Sequence, residues 1–525
     1  MADTIRKMGA RVLPLALALG LASYGMAQDG DPQQALPNHG TQDKTDELKK
    51  LDRLIEQNKQ LENQNRELIT EIESLRGVLA QQSGSAAIST ETGPATQADT
   101  AQEAKPLTAD ISSDQGDKKS WGTYTDNQGF KVVNTEYGDM SISLYTYVRY
   151  LNQRGLDSTF TDALGNVKSV QQRQDIQLNK LQIKFLGWIL HPKFRYFLYA
   201  WSSNASQGLG AQVVLAGNLS YGFNKAFNVG AGIRSLPGTR SVEGNFPFWL
   251  GVDTRLIADE FFRPSYTSGV WAWGKIGSRL DYIAMIGNNL STLGVSAAQL
   301  NNGLNTVSTS LVWMPSTGEF GQGFGDFEDH QKLATRLAAH FTRSNEDRQE
   351  QPNSDQFENT QIRLEDGSVI FTPNLLGPGI TVNDVTYKMA DFDGGVKYHG
   401  FSLDGEYFLR WLDDFHGLGT TGLPTIFSHG FQLQTSAMVL PKTLQVYLGG
   451  STLTGNAAAL DAYRAKYGNP WDFRAGLNYF PYHNKVIRWN NEFLYLYKSP
   501  VGYTAVPFAL GGTGPVFAST LELAF

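Results

Sequence analysis

Cysteine is absent from all 525 residues, which removes disulfide staples, cysteine-ligated zinc and thiol catalysis together. Histidine is scarce, with eight copies, and none stands in a His-x-Glu or His-Glu-x-x-His spacing; Gly-x-Ser-x-Gly is missing as well. Without those spacings there is no assembled metal site or activated nucleophile, so neither an enzyme nor a cofactor is expected. Basic charge is not in excess, at 44 Lys and Arg against 51 Asp and Glu, which argues against a nucleic-acid binder. Of these, 13 basic and 18 acidic residues precede position 120, leaving 31 and 33 for the rest. Long apolar runs are also lacking. The one uninterrupted stretch, Val12 to Ala22, is shorter than the ~20 residues of a spanning helix. It follows Arg6, Lys7 and Arg11 and precedes Gly25-Met26-Ala27, the layout of an export signal over residues 1–27 rather than of a membrane anchor. A mature chain without a helical span enters a membrane only as a closed β-barrel.

What is present divides into segments. After an extension over 28–42, residues 43–80 carry heptads, with Leu51, Asn58, Asn65, Ile72 and Leu79 at a and leucine at every d position (Leu54, Leu61, Leu68, Leu75). Buried Asn at a serves register between like chains, so a parallel coiled coil is expected rather than a lone amphipathic helix. Asn at a favours two strands, whereas Ile55 and Ile69 at e widen the apolar stripe in the direction of three. Residues 81–119 are Ala, Thr, Gln, Ser and Asp with few large apolar side chains, the composition of a disordered linker.

Residues 120–525 read as an all-β transmembrane barrel of about 16 antiparallel strands. Met140, Ile142, Leu144, Thr146 and Val148 alternate with Ser141, Ser143, Tyr145, Tyr147 and Arg149, and fifteen further segments follow, the last ending at Phe525. Fifteen prolines lie beyond residue 119, all between these segments or at their margins, as a hydrogen-bonded ladder requires. Spacers after even-numbered strands are mostly short and those after odd-numbered ones mostly long, the pattern of a barrel with turns at one rim and loops at the other. One spacer, Met314 to Gln331, is too long for a tight turn; either a strand is misplaced there or the turn is elaborated. An even strand number puts both barrel ends at the short-turn rim.

Charged side chains facing lipid cost ~2–4 kcal/mol near mid-membrane. The register therefore turns Arg149, Lys180, Lys184, Arg234, Arg336, Arg410, Arg474 and Arg488 inward as pore lining, with Asp281, Asp404, Glu406, Asp472, Glu492 and Glu522. Some of these charges serve only to pair across strands. Trp188, Trp271, Trp273, Trp411 and Trp489 read as interfacial girdle residues. His340 faces inward in the same register.

The signal, the leucine heptads, the spacer, Ser143-Leu-Tyr-Thr-Tyr-Val-Arg-Tyr150 opening the barrel and Leu521-Glu-Leu-Ala-Phe525 closing it resemble the phosphate-selective porin O/P superfamily. Within it they resemble the DcaP-like trimeric outer-membrane porins with an N-terminal coiled coil. The resemblance implies a trimer in outer-membrane lipid, passing small anions of phosphate or dicarboxylate type, with the coiled coil in the periplasm. It also implies a terminal Phe525 read by the barrel assembly machinery, and a third long loop folded into the lumen. Here that loop is Leu236 to Gly269, and Arg240, Glu243, Asp253, Arg255, Asp259, Glu260 and Arg263 become the expected pore constriction, where opposed fixed charges select permeants. Three basic against four acidic residues leave its sign preference open. Phe246, Phe248, Trp249, Phe261 and Phe262 offer the competing role of packing the loop on the wall. Passive diffusion is the leading function; a structural tether between outer membrane and cell wall is the alternative.

Overall fold

The computed structural model describes residues 122–525, apart from 126–127, 163, 204–211, 243–247, 291–302, 348–361, 457–468 and 503–505. The expected signal, extension, coiled coil and linker lie outside the described residues.

Sixteen strands form the wall: β1 (Gly138–Asn152), β2 (Gln174–Ile189), β3 (His191–Ser203), β4 (Gln212–Gly222), β5 (Asn228–Ser235), β6 (Tyr266–Ile276), β7 (Leu280–Gly287) and β8 (Thr306–Trp313). They continue as β9 (Ala334–Asp347), β10 (Thr381–Tyr398), β11 (Phe401–Leu418), β12 (Ile426–Leu440), β13 (Leu444–Asn456), β14 (Trp471–Tyr479), β15 (Ile487–Tyr497) and β16 (Gly514–Ala524). Each pairs antiparallel with the next, and β16 returns to β1, with Leu521 opposite Val148 and Phe517 opposite Asn152, so the sheet closes.

Period-two alternation is the cause of each strand. On β9 the side chains of Ala334, Arg336, Ala338, His340, Thr342, Ser344 and Glu346 are buried, while Leu337, Ala339, Phe341 and Arg343 are exposed outside. Val270, Leu311, Phe392, Phe431, Phe473 and Leu521 continue this apolar exterior around the wall. β10 and β11, at 18 residues each, run further toward the long loops than alternation alone indicates. Their inward positions there are Val385, Tyr387, Met389, Phe408 and Leu412, so the polar-inside pattern fails although the ladder continues.

At one rim the connections are single turns. Leu190 alone joins β2 to β3, and His399-Gly400, at φ 47° and 76°, joins β10 to β11. This is the positive-φ pair a two-residue hairpin demands. The long connection after β8 is an elaborated turn and not a missed strand, because β8 and β9 pair directly, with Trp313 opposite Leu337. A hairpin of two short strands, Tyr124–Thr125 and Gly129–Thr135, precedes the barrel and pairs with β1 from Ile142 to Gly138. Gly129, at φ 73°, is required there: a Cβ would lie 1.9 Å from the Ile142 carbonyl oxygen. At the other rim, side chains of the long loops, among them Leu156, Ile370, Phe371, Val506 and Phe508, are buried in one apolar cluster with inward residues of the wall.

Candidate functional site: the inner wall and its in-folded loop

The loop between β5 and β6 spans 236–265. It is shorter than expected because β6 starts at Tyr266, opposite Ser235. Its root closes where the Leu236 amide donates to the Ser265 carbonyl (3.0 Å). From there it runs inside the barrel through a 3-10 turn (Arg240–Val242) and helix α1 (Ile257–Phe262).

Wall side chains hold its backbone directly. Arg488 donates to the Trp249 carbonyl (2.7 Å), Asn478 to Leu250 (2.9 Å), Arg149 to Val252 (2.8 Å) and Arg474 to Thr254 (3.1 Å). Buried carbonyls need donors, and charge-assisted donors are the stronger ones. At the start of α1 the Ile257 amide donates to Asp472 and the Ala258 amide to the Ser451 hydroxyl. Phe262 stacks on Phe408 at 5.3 Å, and the Arg410 guanidinium lies 4.3 Å over Phe261. Phe261 and Phe262 thus pack the loop against the wall, and the described charges of the loop are paired as well; Phe246 lies outside the described residues.

Asp253 accepts from Lys180 (3.1 Å) and from the Tyr147 hydroxyl (2.9 Å). Burial opposes its ionisation, but Lys180 and Arg149 outweigh burial and hold its carboxyl below the usual range. Arg240 binds Asp404 at 3.1 Å, and its amide donates to Glu406 (2.9 Å). Arg255 and Arg263 both bind Glu260, and Arg255 lies 3.9 Å over the Trp249 ring. Asp259 accepts from Ser241 (2.8 Å) and is pushed up to about 7 by burial and by the facing Glu406, against the pull of Arg255. Glu243 lies outside the described residues.

Among the expected lining residues, Arg336 binds Asp393 (2.7 Å), Arg488 binds Glu522, and Arg410 donates to the Arg363 carbonyl (2.8 Å) and to Ser428 (3.0 Å). Arg234 stands 5.3 Å over Trp271. His340 bridges the Pro237 carbonyl (3.1 Å) and Asp393 (2.8 Å). Sequence reasoning missed Glu346, Asp391, Asp393 and Lys397, all buried on β9 and β10; the parity of each strand was the available signal. Trp271 and Trp273 are not girdle residues. Both take the inward parity of β6, Trp271 with 3% exposure, in a strand apolar on both faces where alternation does not discriminate. Trp411 and Trp489 are on the outer face.

The inner wall is uneven. On β8–β16 and β1 the inward charged groups beyond Asp139 are buried: Arg149, Arg336, Lys397, Arg410, Arg474 and Arg488 against Glu346, Asp391, Asp393, Asp404, Glu406, Asp472, Glu492 and Glu522. On β2–β7, Lys184, Lys193, Arg195, Arg234 and Lys275 keep partial exposure alongside Asp175 and Asp281, so basic groups prevail there.

A closed barrel of sixteen antiparallel strands, apolar outside and charged inside, has the architecture of a porin-like barrel. Among solved structures the chain is similar to the outer membrane channel DcaP of Acinetobacter baumannii, at 10% identity over 75% of this chain and 99% of that one, with a TM-score of 0.46. It is similar also to an anion-selective porin from Comamonas acidovorans (10% identity, 74% and 100% covered, TM-score 0.44) and to Salmonella typhi OmpF in complex with daunomycin (13%, 75% and 100%, 0.44). No protein-family model matches the chain, and no curated protein matches it.

Proposed function

We propose that the chain is an outer-membrane porin that lets small hydrophilic solutes, chiefly anions, diffuse passively through the part of its lumen walled by β2–β7. The observation that carries this reading is the uneven inner wall. The loop fills one side, while the side with partial exposure presents five basic groups to two carboxylates. Fixed charge of one sign along a passage selects permeants of the other, and no cofactor is needed. The loop between β5 and β6 is the constriction in this reading, and Arg149, Arg474 and Arg488 act as its clamps more than as free lining. The apolar exterior faces lipid and the short-turn rim faces the periplasm; the coiled coil expected at 43–80, outside the described residues, is periplasmic and serves a trimer. Phe525 is the residue that the assembly machinery reads.

Reconstitution into planar bilayers tests it. Stepwise conductance is expected, with a reversal potential in a salt gradient that reports anion preference. The preference should fall or invert in the Lys184→Glu, Arg234→Glu double variant. Silence of the wild-type chain would overturn the channel, and an unmoved reversal potential in the double variant would overturn the assigned path.

A further inference from the structure

The connection between β8 and β9, Met314 to Leu333, is the one short-rim turn that is not short. It does not hang outside the barrel. Phe320, Gln322, Phe324 and Asp326 are buried, and the Phe324 amide donates to the Phe248 carbonyl of the in-folded loop (3.0 Å). Phe324 also packs with Trp249 and Leu250 of that loop and with Tyr447 of β13.

The route inward depends on Gly321-Gln-Gly-Phe-Gly325, whose three glycines stand at φ 68°, 73° and 86°. At Gly323 a Cβ would lie 2.3 Å from the Phe248 carbonyl oxygen, so only glycine permits the approach. The Gly323 carbonyl then receives two cations, Arg240 of the loop (3.0 Å) and Lys397 of β10 (3.1 Å). Phe320 presents its ring to the same pair, at 5.2 and 4.8 Å. At the rim the turn is fastened by Lys485 to Glu328 (2.6 Å), by His330 to Asp326 and Glu319, and by the Gly400 amide to Asp326 (2.9 Å). A cavity of about 20 Å³ remains between the turn and the loop, bordered by Phe248, Trp249, Phe324, Phe327, Phe480 and Lys485.

We propose that this turn is the second jaw of the constriction, entering from the opposite rim. It sets selectivity by covering Lys397, and Arg240 on the side away from its partner Asp404, with a carbonyl and an aromatic face. The inference rests on the channel reading and adds to it a specificity element. Ring faces and carbonyl dipoles satisfy cations without adding fixed negative charge. The turn therefore narrows the passage and withdraws two positive groups from the permeant.

The test compares single-channel conductance and reversal potential of the wild type with a variant in which Gly318–Glu328 is replaced by Asn-Gly, and with the Glu319→Gln, Glu328→Gln double variant, whose shift measures the turn's own carboxylates and which the shortened variant must exceed for the covering to stand. Barrel closure is checked by heat-modifiable migration in detergent. The expected result is a conductance raised roughly twofold and a reversal potential shifted toward stronger anion preference. Lys485→Met, which loosens the fastening and leaves every strand pair intact, should move both readings in the same direction by less, and it decides the matter if the shortened chain does not close. A conducting wild type whose variants keep its conductance overturns the second jaw alone. Raised conductance with an unshifted reversal potential overturns the covering of Arg240 and Lys397. A wild type that never conducts overturns the channel reading and this inference with it.

Discussion

The two sides of the inner wall obey one alternation and put it to different use. On β8–β16 and β1 an inward arginine is a structural clamp: Arg474, 1% exposed, joins the Thr254 carbonyl, Glu492 and Gln434. On β2–β7 an inward lysine such as Lys184 keeps partial exposure. Charge in a lumen is therefore not selectivity by itself. A buried pair is close to neutral for a passing ion, and removing one partner costs far more than the pair contributes.

Arg474→Ala should break this comparison most visibly. It takes the ion-pair partner from Glu492, leaving it the Tyr447 hydroxyl, and takes the donor from the Thr254 carbonyl, and a loss of ~3 kcal/mol is expected, read as a lowered unfolding midpoint in detergent. Lys184→Ala should stay within ~0.5 kcal/mol while weakening anion preference in bilayers. Equal stability in the two variants would erase the distinction.

Acidity acts next. His330 is lifted to about 9: burial opposes its protonation, but Asp326 and Glu319 outweigh burial. Its contribution to seating the turn is complete below the ordinary value of 6.5 and is lost as pH rises through about 9. Asp259, lifted to about 7 from 3.8, works in the same sense, since ionisation sets it against Glu406. Conductance should therefore be larger at pH 9.5 than at pH 5.5, and His330→Gln should flatten the upper part of that rise. Glu328 is held to about 2, where Lys485 and Lys397 overcome burial, so its fastening is present above 4.5 and fails only as pH falls toward 2. The smallest effect is expected from Arg255→Ala. Arg255 pairs within the loop to Glu260, so the reversal potential should move less than in Lys184→Ala; a larger shift would return the filter to the loop's own charges.

Much of this was legible beforehand. Alternation located all sixteen strands, and the cost of a charge in lipid turned Arg149, Lys180, Arg336, Arg410, Arg474 and Arg488 inward, where they are buried. The long spacer after β8 stood out by length alone. Alternation stopped informing where inward residues are apolar, at Tyr387 and Met389 on β10 and at Trp271 and Trp273 on β6. It gave no partners either. Arg149 and Arg488 reach Val252 and Trp249 across separations of 103 and 239 residues, and only closure of the wall brings such groups together.

The hairpin before β1 has a consequence in time. β16 ends where the Phe525 carbonyl meets the Leu144 amide, and the Ser143 hydroxyl reaches the same oxygen from 382 residues away. Below that point the edge of β1 is already occupied by Gly129–Thr135, its near neighbour in the chain. Contacts between near neighbours form early and distant ones late. The shorter part of the seam, Gly138–Ile142, is therefore zipped before the longer part, Tyr145–Asn152, has a partner, and Phe130 waits at the junction, its ring 5.5 Å from that of the last residue to arrive.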